Sequence, residues 1–539
     1  MKTIKIKEIC LFRKFLVTLI GILLIFVLSC CGGKKKCQSI SCSFNEEPTS
    51  LDPQVVEDYP SSVLVINLFE GLVRLDKDSK VMPGIAESWE SDSESRIFTF
   101  HLKKDAKWSD GKTSVTAKDF LFGIKRSIDP KTFSNSSKLL RIIKNASDIS
   151  LNKMNLDNIG VFVLDDYTLK IELENSFKDF PVLCCNPCAM PCNEDFFKNT
   201  NGQYGKNSKT LLTNGPFKIG NRGWDHDKNI NLVKNENYIY KNERAFTPII
   251  NFLVNKDNEE ELKLFKNEDV DICHLKENED IEVFKKNIDS NFVSFQNVLW
   301  GIVFNCSSNA FKDENMRKGF LSAIERDNII SKLPEGKFTK SDDIILNNAM
   351  FAGRNYRELV SGNFFYKGNS NPKSFIQNFL NESKIKIDNI SIFSSDDDNV
   401  KIISNNILEV LNKNLGCHLN IKFFPLDELK KRVESKNFEF ALVPFSLSSD
   451  PIKFLGSFLS DQQKNPAGLS DSEYDKIFEN NFSGDTLKCI EKAEKYLNNK
   501  AVVYPVCSSL SYIAINKKIS NLVFRQDQIV DFSFAKKEK

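Results

Sequence analysis

Residues 98–129 read FTFHLKKDAKWSDGKTSVTAKDFLFGIKRSID, and the apolar side chains change their spacing within this stretch. From Phe98 to Leu102 apolar and polar side chains alternate, which predicts a β-strand with one buried face. The Ser-Asp-Gly-Lys sequence at 109–112 predicts a turn, because Asp and Gly favour the backbone angles that turns require. The stretch therefore begins as a strand that ends in a turn.

A helix is predicted directly after that turn. Thr116 is a suitable N-cap, and Asp119, three residues later, can accept a hydrogen bond from the N-cap backbone. Phe120, Ile124 and Ile128 then recur every four residues, so one face of the helix should be buried.

The rest of the chain repeats this mixture of elements. Helices are predicted over about Asp313–Leu333 and Val400–Leu415, and a strand over His418–Phe424. Strands separated by helices indicate an α/β protein with more than one sheet. The 539 residues exceed one ordinary hydrophobic core, which favours two or three lobes.

The charge balance and the first thirty residues indicate where the protein acts. The 74 basic and 72 acidic residues nearly cancel, so no nucleic-acid-binding surface is expected. A positive start precedes an apolar run from Phe15 to Leu28, which is shorter than the roughly 20 residues of a membrane span. The following Ser29-Cys30 resembles a bacterial lipoprotein box. We expect removal of residues 1–29, lipidation of Cys30 and a linker over 30–43, with an uncleaved anchor helix as the alternative.

Motifs spread over nearly the whole chain resemble one known family. Around the opening stretch these are VMPGIAESWE, FTFHLKKDAKWSDGK and VTAKDFLFGIKRSIDP; elsewhere they are LDP (51–53), NLFEGL (67–72), TNGPF (213–217), NENY (235–238) and DP (450–451). They are similar to the motifs of extracytoplasmic solute-binding proteins of family 5, which bind oligopeptides, dipeptides or nickel for ABC importers, and most of all to those of its oligopeptide-binding members.

The resemblance implies a three-lobed α/β periplasmic-binding-protein fold, class II-like, with mixed sheets and a hinge between two clamping lobes. The expected division is lobe I (44–68, 194–296 and 508–539), lobe II (69–193, accessory) and lobe III (297–507). The implied function is capture of a peptide between lobes I and III by hinge closure, followed by delivery to an ABC permease in the cytoplasmic membrane. The protein would act as a lipid-anchored monomer on the outer face of the membrane, without cofactor or catalytic residues.

Two ligand-binding residues are carried over from the family pattern. Glu57 falls where oligopeptide binders keep an acid in the pocket, and a solvated loop glutamate is the alternative. Trp300 lies on a strand that carries several aromatic site residues in relatives, and core packing is the alternative for it.

The stretch 443–451 (VPFSLSSDP) is placed by the resemblance on the rim of the ligand cleft, which makes Phe445 a further candidate. Relatives hold the peptide α-amino group with an Asp three residues before the acid that corresponds to Asp450. Here that position is Leu447, or Ser448 if a one-residue gap is allowed. Neither neutralises an ammonium, so free N-termini should bind poorly unless Asp450 or Glu57 compensates.

Other positions of the family site have also changed. The arginine that relatives use for the peptide carboxylate falls near Ala441 or Leu442, and Arg432 is the nearest spare cation. A tryptophan of the neighbouring loop corresponds to Leu426. The sequence therefore predicts that this chain keeps the family's fold but differs from it at several ligand-contact positions.

The run 184–192 (CCNPCAMPC) is the second unusual feature. Cys184, Cys185, Cys188 and Cys192 could form disulfides or remain as inert thiols, be incidental and unpaired, or bind zinc or an iron–sulfur cluster. A tetrathiolate site normally draws its pairs from two loops, so no metal site is predicted.

Three alternative functions remain open from sequence. The transport role could apply to a modified peptide, a nickel chelate or another small organic molecule. The cysteine run could make this a thiol- or metal-active surface lipoprotein. The protein could also sense solutes for a partner instead of transporting them.

Overall fold

The computed structural model describes residues 39–538 with internal gaps. These gaps are residue 57, 256–257, 276–284, 287–289, 334–335, 348, 352–353, most of 361–386, 447–450, 480–485 and 526–527. The expected signal peptide and the lipidation site Cys30 lie outside the described residues. Among the residues described, no helix is both long and apolar enough to cross a membrane.

The described strands are β1 (Ser39–Phe44), β2 (Val73–Leu75), β3 (Val81–Pro83), β4 (Ala86–Ser91), β5 (Ile97–Leu102), β6 (Val161–Asp165), β7 (Thr168–Glu172), β8 (Phe217–Asp225), β9 (Asn229–Lys234), β10 (Ile249–Val254), β11 (Ile272–Leu275), β12 (Ser290–Phe304), β13 (Phe338–Lys340), β14 (Met350–Phe351), β15 (Arg354–Asn355), β16 (Ser391–Ser395), β17 (Asn420–Phe424), β18 (Phe440–Ser446), β19 (Val503–Asn516), β20 (Ile519–Ser520), β21 (Val523–Phe524), β22 (Val530–Asp531) and β23 (Lys536–Lys537).

The described α-helices are α1 (Tyr59–Leu68), α2 (Ala117–Ile128), α3 (Ala146–Ser150), α4 (Phe180–Leu183), α5 (Glu194–Asn199), α6 (Asn258–Lys266), α7 (Glu314–Ser322), α8 (Arg326–Ile330), α9 (Tyr356–Leu359), α10 (Asp398–Leu415), α11 (Leu426–Glu434), α12 (Pro451–Gly456), α13 (Ser472–Glu479) and α14 (Thr486–Asn499).

Three larger sheets organise these elements. Two have four strands each, in the orders β1-β10-β9-β8 and β4-β5-β7-β6. The third has seven strands in the order β11-β19-β12-β18-β16-β17, with β13 added beside β19. β16 pairs in parallel with β17 and β18, whereas β12 is antiparallel to both of its neighbours. The predicted mixed α/β class with several sheets is confirmed.

The opening stretch folds as its sequence predicts. It forms β5, a turn and α2 in succession. Asp119 accepts a 2.7 Å hydrogen bond from the backbone N–H of Thr116 and so provides one half of the capping box. Phe120, Ile124 and Ile128 are all buried, as their spacing requires.

Two sequence predictions need correction. The helix expected over Asp313–Leu333 is two helices, α7 and α8, that break at residues 323–325. Arg326, the first residue of α8, is buried and donates to the backbone carbonyl of Ser341 and the carboxylate of Asp342, which fixes the new direction. The linker cannot extend to residue 43, because β1 begins at Ser39 and pairs in parallel with β10.

Four apolar clusters fill the interior of the described part of the chain. The first unites residues of both four-stranded sheets and reaches Ile513 on β19. The second and third lie on the two faces of the seven-stranded sheet, and all of their buried members fall within residues 299–507. A small fourth cluster packs around β11 and the adjacent end of β19.

Buried ion pairs attach the C-terminal segment to the first cluster. Arg244 is 4% exposed and lies 3.2 Å from the carboxylate of Glu70 and 3.3 Å from that of Asp531. Burial would raise the pKa of Asp531, but Arg244 and Arg525 outweigh it and hold that pKa below its usual value. Residues far apart in sequence are thereby joined in one network.

Candidate functional site

The candidate site lies on β12 and β19, two neighbouring strands of 15 and 14 residues in the seven-stranded sheet. They pair antiparallel from Ser290 opposite Asn516 to Val303 opposite Val503. At one end their side chains enter the first and fourth clusters, and at the other end the second and third. The two strands therefore connect two separately packed parts of the molecule.

Between those ends lies a run of hydroxyl side chains, here called the serine stretch: Ser508, Ser509 and Ser511. Ser508 is fully buried and Ser509 is 3% exposed. The Oγ atoms of all three are buried without a hydrogen-bond partner among the described residues. A buried polar group without a partner costs about 1–3 kcal/mol. Alternation along the strand places Ser508 on one face of the sheet and Ser509 and Ser511 on the other.

The strand opposite is irregular at the same level. The register of β12 against β19 shifts between Gln296 and Val298, which is the signature of a β-bulge. Bulges increase the local twist and are enriched beside functional sites. The polar groups and the backbone irregularity therefore coincide in the middle of the strand pair.

The end of β18 meets this same level of the sheet. Val298 lies opposite Ser509 on one side and opposite Ser446, the last residue of β18, on the other. β16, β17 and β18 are parallel, so their carboxyl ends share one edge, which is where open α/β sheets bind ligands. The serine stretch and the end of β18 thus lie at the same level of the sheet, on either side of β12.

Two of the predicted site residues are described, and they occupy opposite faces of the sheet. Trp300 is 9% exposed and packs in the second cluster with Ile302 and Phe304. Phe445, on β18, packs against the third cluster, with its ring centroid 5.5 Å from that of Phe454. Because the two side chains lie on opposite faces of the sheet, they do not line one cavity. A ligand role for both stays a prediction.

The remaining predicted contacts, Glu57, Leu447, Ser448 and Asp450, lie outside the described residues. Ala441 and Leu442, where relatives carry the carboxylate-binding arginine, are fully buried in β18. Arg432 is not a spare cation, because its guanidinium lies 2.7 Å from the Glu428 carboxylate and 4.3 Å from the centre of the Phe424 ring.

The cysteine run 184–192 is largely buried, and its thiols are not paired with one another. Cys184, Cys188 and Cys192 are at most 1% exposed, and none of the four thiols forms a disulfide. Burial raises the pKa of Cys188 and of Cys192 to about 12. Across the described part of the chain no group of three or more His, Cys, Asp or Glu is placed to hold a metal ion. Of the alternatives left open, the inert thiols agree best with this environment.

The serine stretch was missed by the sequence reasoning, although a signal was present. Residues 507–512 read CSSLSY, and three hydroxyls interrupt a strand that is otherwise apolar. Their relation to Gln296 and Ser446 depends on the pairing of β12 with β19 and with β18, both of which are far from β12 in sequence, so no local pattern contains it.

Comparison with known proteins agrees with this architecture. The chain is 26% identical over 510 residues to the dipeptide-binding protein DppE of Bacillus subtilis, covering 91% of this chain and 90% of the relative. It is 26% identical over 492 residues to the periplasmic oligopeptide-binding protein OppA of Salmonella typhimurium, covering 87% of each. The structure of Listeria monocytogenes OppA bound to peptide matches with a TM-score of 0.67 and 25% identity, over 94% of this chain and 100% of the other.

The fold, the full-length coverage and the earlier resemblance all agree with one family assignment. Residues 80–466, more than half of the chain, match the family described as bacterial extracellular solute-binding proteins, family 5 Middle. The chain belongs to this family of bacterial extracellular solute-binding proteins.

Proposed function

We propose that this protein captures peptides outside the cytoplasmic membrane and delivers them to the permease of an ABC importer. The observation that carries the proposal is the end-to-end similarity to proteins named for dipeptide and oligopeptide binding, over about nine-tenths of both chains. The proposed role is binding and transfer, without catalysis.

The proposed binding motion uses the division into lobes. Lobe I (44–68, 194–296 and 508–539) and lobe III (297–507) would close on the ligand, with lobe II (69–193) as the accessory lobe. Two observations support it: the second and third clusters draw their buried members only from 299–507, and the first cluster joins residues of lobes I and II. β12 and β19, which run between these parts, would be the connection that bends.

The proposed ligand contacts lie around the middle of that connection. Ser508 lies on the same face of the sheet as Phe445, because both are paired with Leu299, and it would offer a hydroxyl donor and acceptor to the ligand. Phe445, Leu447, Ser448 and Asp450 would form the rim, because β18 ends at Ser446, which Val298 of β12 separates from Ser509. Trp300 would support that rim from the opposite face of the sheet, and Glu57 would supply an acid from lobe I.

The proposed location is the outer face of the membrane, with Cys30 carrying the lipid. The support is the apolar run of residues 15–28 followed by Ser29-Cys30, together with the extracellular character of the family. Mass spectrometry of the N-terminal peptide from native membranes would show an acylated Cys30.

Calorimetric titration with matched peptides tests the binding proposal. We expect saturable binding of at least some di- to hexapeptides. We also expect N-acetylated peptides to bind no more weakly than the same peptides with a free amino group, because Leu447 and Ser448 replace the amine-binding acid of relatives. Absence of binding by every peptide in a mixed library would refute the peptide assignment. A preference of about tenfold or more for free N-termini would show that an acid still pairs with the amine.

A further inference from the structure

A polar cavity lies in the third lobe, at the edge of the sheet opposite to the proposed cleft. Its volume is about 560 Å³, and its lining includes Ser391, Lys422, Lys436 and Glu439. These residues stand at or near the amino ends of β16, β17 and β18. The proposed peptide rim follows the carboxyl end of β18, so the cavity is a separate place in the fold.

The acid in this cavity has an unused acceptor. Oε2 of Glu439 is buried and has no hydrogen-bond partner among the described residues. A buried carboxylate oxygen without a donor is costly, because it has lost its hydration without replacement. An ammonium group is the donor that best meets such a carboxylate.

A lysine stands on the same face of the sheet as this acid. Phe393 of β16 lies opposite Ala441 of β18 and opposite Lys422 of β17. Glu439 precedes Ala441 by two residues, and the alternation of side chains therefore places Glu439 on the face of Phe393 and Lys422. Two strand spacings, about 10 Å, and two residues along the strands separate the backbone positions of Glu439 and Lys422, so these positions are about 12 Å apart.

The second lysine of the cavity is already engaged. The ammonium of Lys436 lies 3.4 Å from the carbonyl oxygen of Val433 and 3.2 Å from that of Glu434, and it also donates to the carbonyl of Asn465. Lys422 is exposed, and its ammonium lies 5.5 Å from the centre of the Phe393 ring. Lys422 is therefore the cation available to a ligand carboxylate.

We propose that this cavity binds a small zwitterion, a free α-amino acid, with its ammonium on Glu439 and its carboxylate toward Lys422. The Glu439 carboxylate would repel a simple anion. The ammonium groups of Lys422 and Lys436 would repel a simple amine. A molecule that carries both charges a few ångströms apart satisfies both sides of the cavity. Binding here is independent of peptide binding between the lobes.

Calorimetry with a mixture of the standard amino acids, followed by single amino acids, tests the proposal. We expect saturable binding of at least one amino acid, with ethylamine and propionate binding at least about tenfold more weakly, because each satisfies only one charge. Glu439→Gln should weaken amino-acid binding by at least about tenfold, and Lys422→Met should also weaken it, while peptide binding is unchanged.

Glu434→Gln is the matched control. Glu434 is an exposed acid nearby whose carboxylate lies 3.4 Å from the ammonium of Lys464, and its substitution should leave amino-acid binding unchanged. Absence of binding by every amino acid would overturn the proposal. The proposal would also be overturned if Lys422→Met bound the amino acid as tightly as the wild-type protein does. Ethylamine binding as tight as that of the amino acid would contradict a zwitterion site.

Discussion

The ends of the β12–β19 pair and its middle differ in side-chain chemistry although one hydrogen-bonded ladder joins them. At one end Ile302 packs in the second cluster, and at the other Ile513 packs in the first. Between them Ser508 and Ser509 are equally buried, but their hydroxyls have no partners among the described residues. The difference indicates that the ends hold the fold together. Under the proposed function, the middle keeps its polar groups, at a cost in stability, for the ligand.

Apolar truncation at the ends should produce the largest loss of stability. Ile302→Ala and Ile513→Ala each remove a side chain that is at most 1% exposed, and each should cost about 2–5 kcal/mol of unfolding free energy. Chemical denaturation followed by circular dichroism measures this loss. Ile402→Ala is the control, because Ile402 is 40% exposed and should change stability by less than about 0.5 kcal/mol. Losses below about 1 kcal/mol at both ends would contradict the claim that apolar packing at the ends of the strand pair stabilises the fold.

Removing a hydroxyl from the middle should have a much smaller effect on stability and a clear effect on binding. Ser508→Ala deletes an Oγ that has no partner among the described residues and so removes its desolvation cost; the unfolding free energy should rise by about 1 kcal/mol. Peptide affinity should fall by several-fold, since one hydrogen bond to the ligand contributes about 0.5–1.5 kcal/mol. Denaturation and calorimetry on the same samples measure both quantities.

Ser533→Ala serves as the contrast for that experiment. Ser533 is also fully buried, but its Oγ bonds Arg244 and Asp531 in the ion-pair network. That substitution should destabilise the protein by about 1–3 kcal/mol without changing peptide affinity. If Ser508→Ala destabilised as much and left affinity unchanged, the hydroxyls of the serine stretch would be structural.

Local sequence patterns predicted the parts of the fold that local interactions decide. The strand, turn and capped helix of residues 98–129 required only alternation, Asp-Gly turn chemistry and the Thr116–Asp119 pair. The break between α7 and α8 escaped prediction because the buried Arg326 bonds groups at 341 and 342 and so depends on tertiary packing.

The site was less predictable, for a related reason. The family resemblance predicted the cleft rim at 445–450. Arg432 was expected to be available for the peptide carboxylate, but its guanidinium lies within hydrogen-bonding distance of the Glu428 carboxylate, one helical turn away. The serine stretch became evident only once pairing placed Ser509, Val298 and Ser446 side by side. Its chemistry comes from strands far apart in sequence, so spacing alone could not reveal it.

Hydrogen–deuterium exchange with and without a bound peptide tests the central claim most directly, namely that the middle of the strand pair faces the ligand while its ends do not. A saturating peptide should slow exchange at residues 294–298 and 508–511 and leave 301–304 and 513–516 unchanged, because a ligand held there suppresses local opening. Peptide binding without added protection at 294–298 or 508–511 would contradict the account.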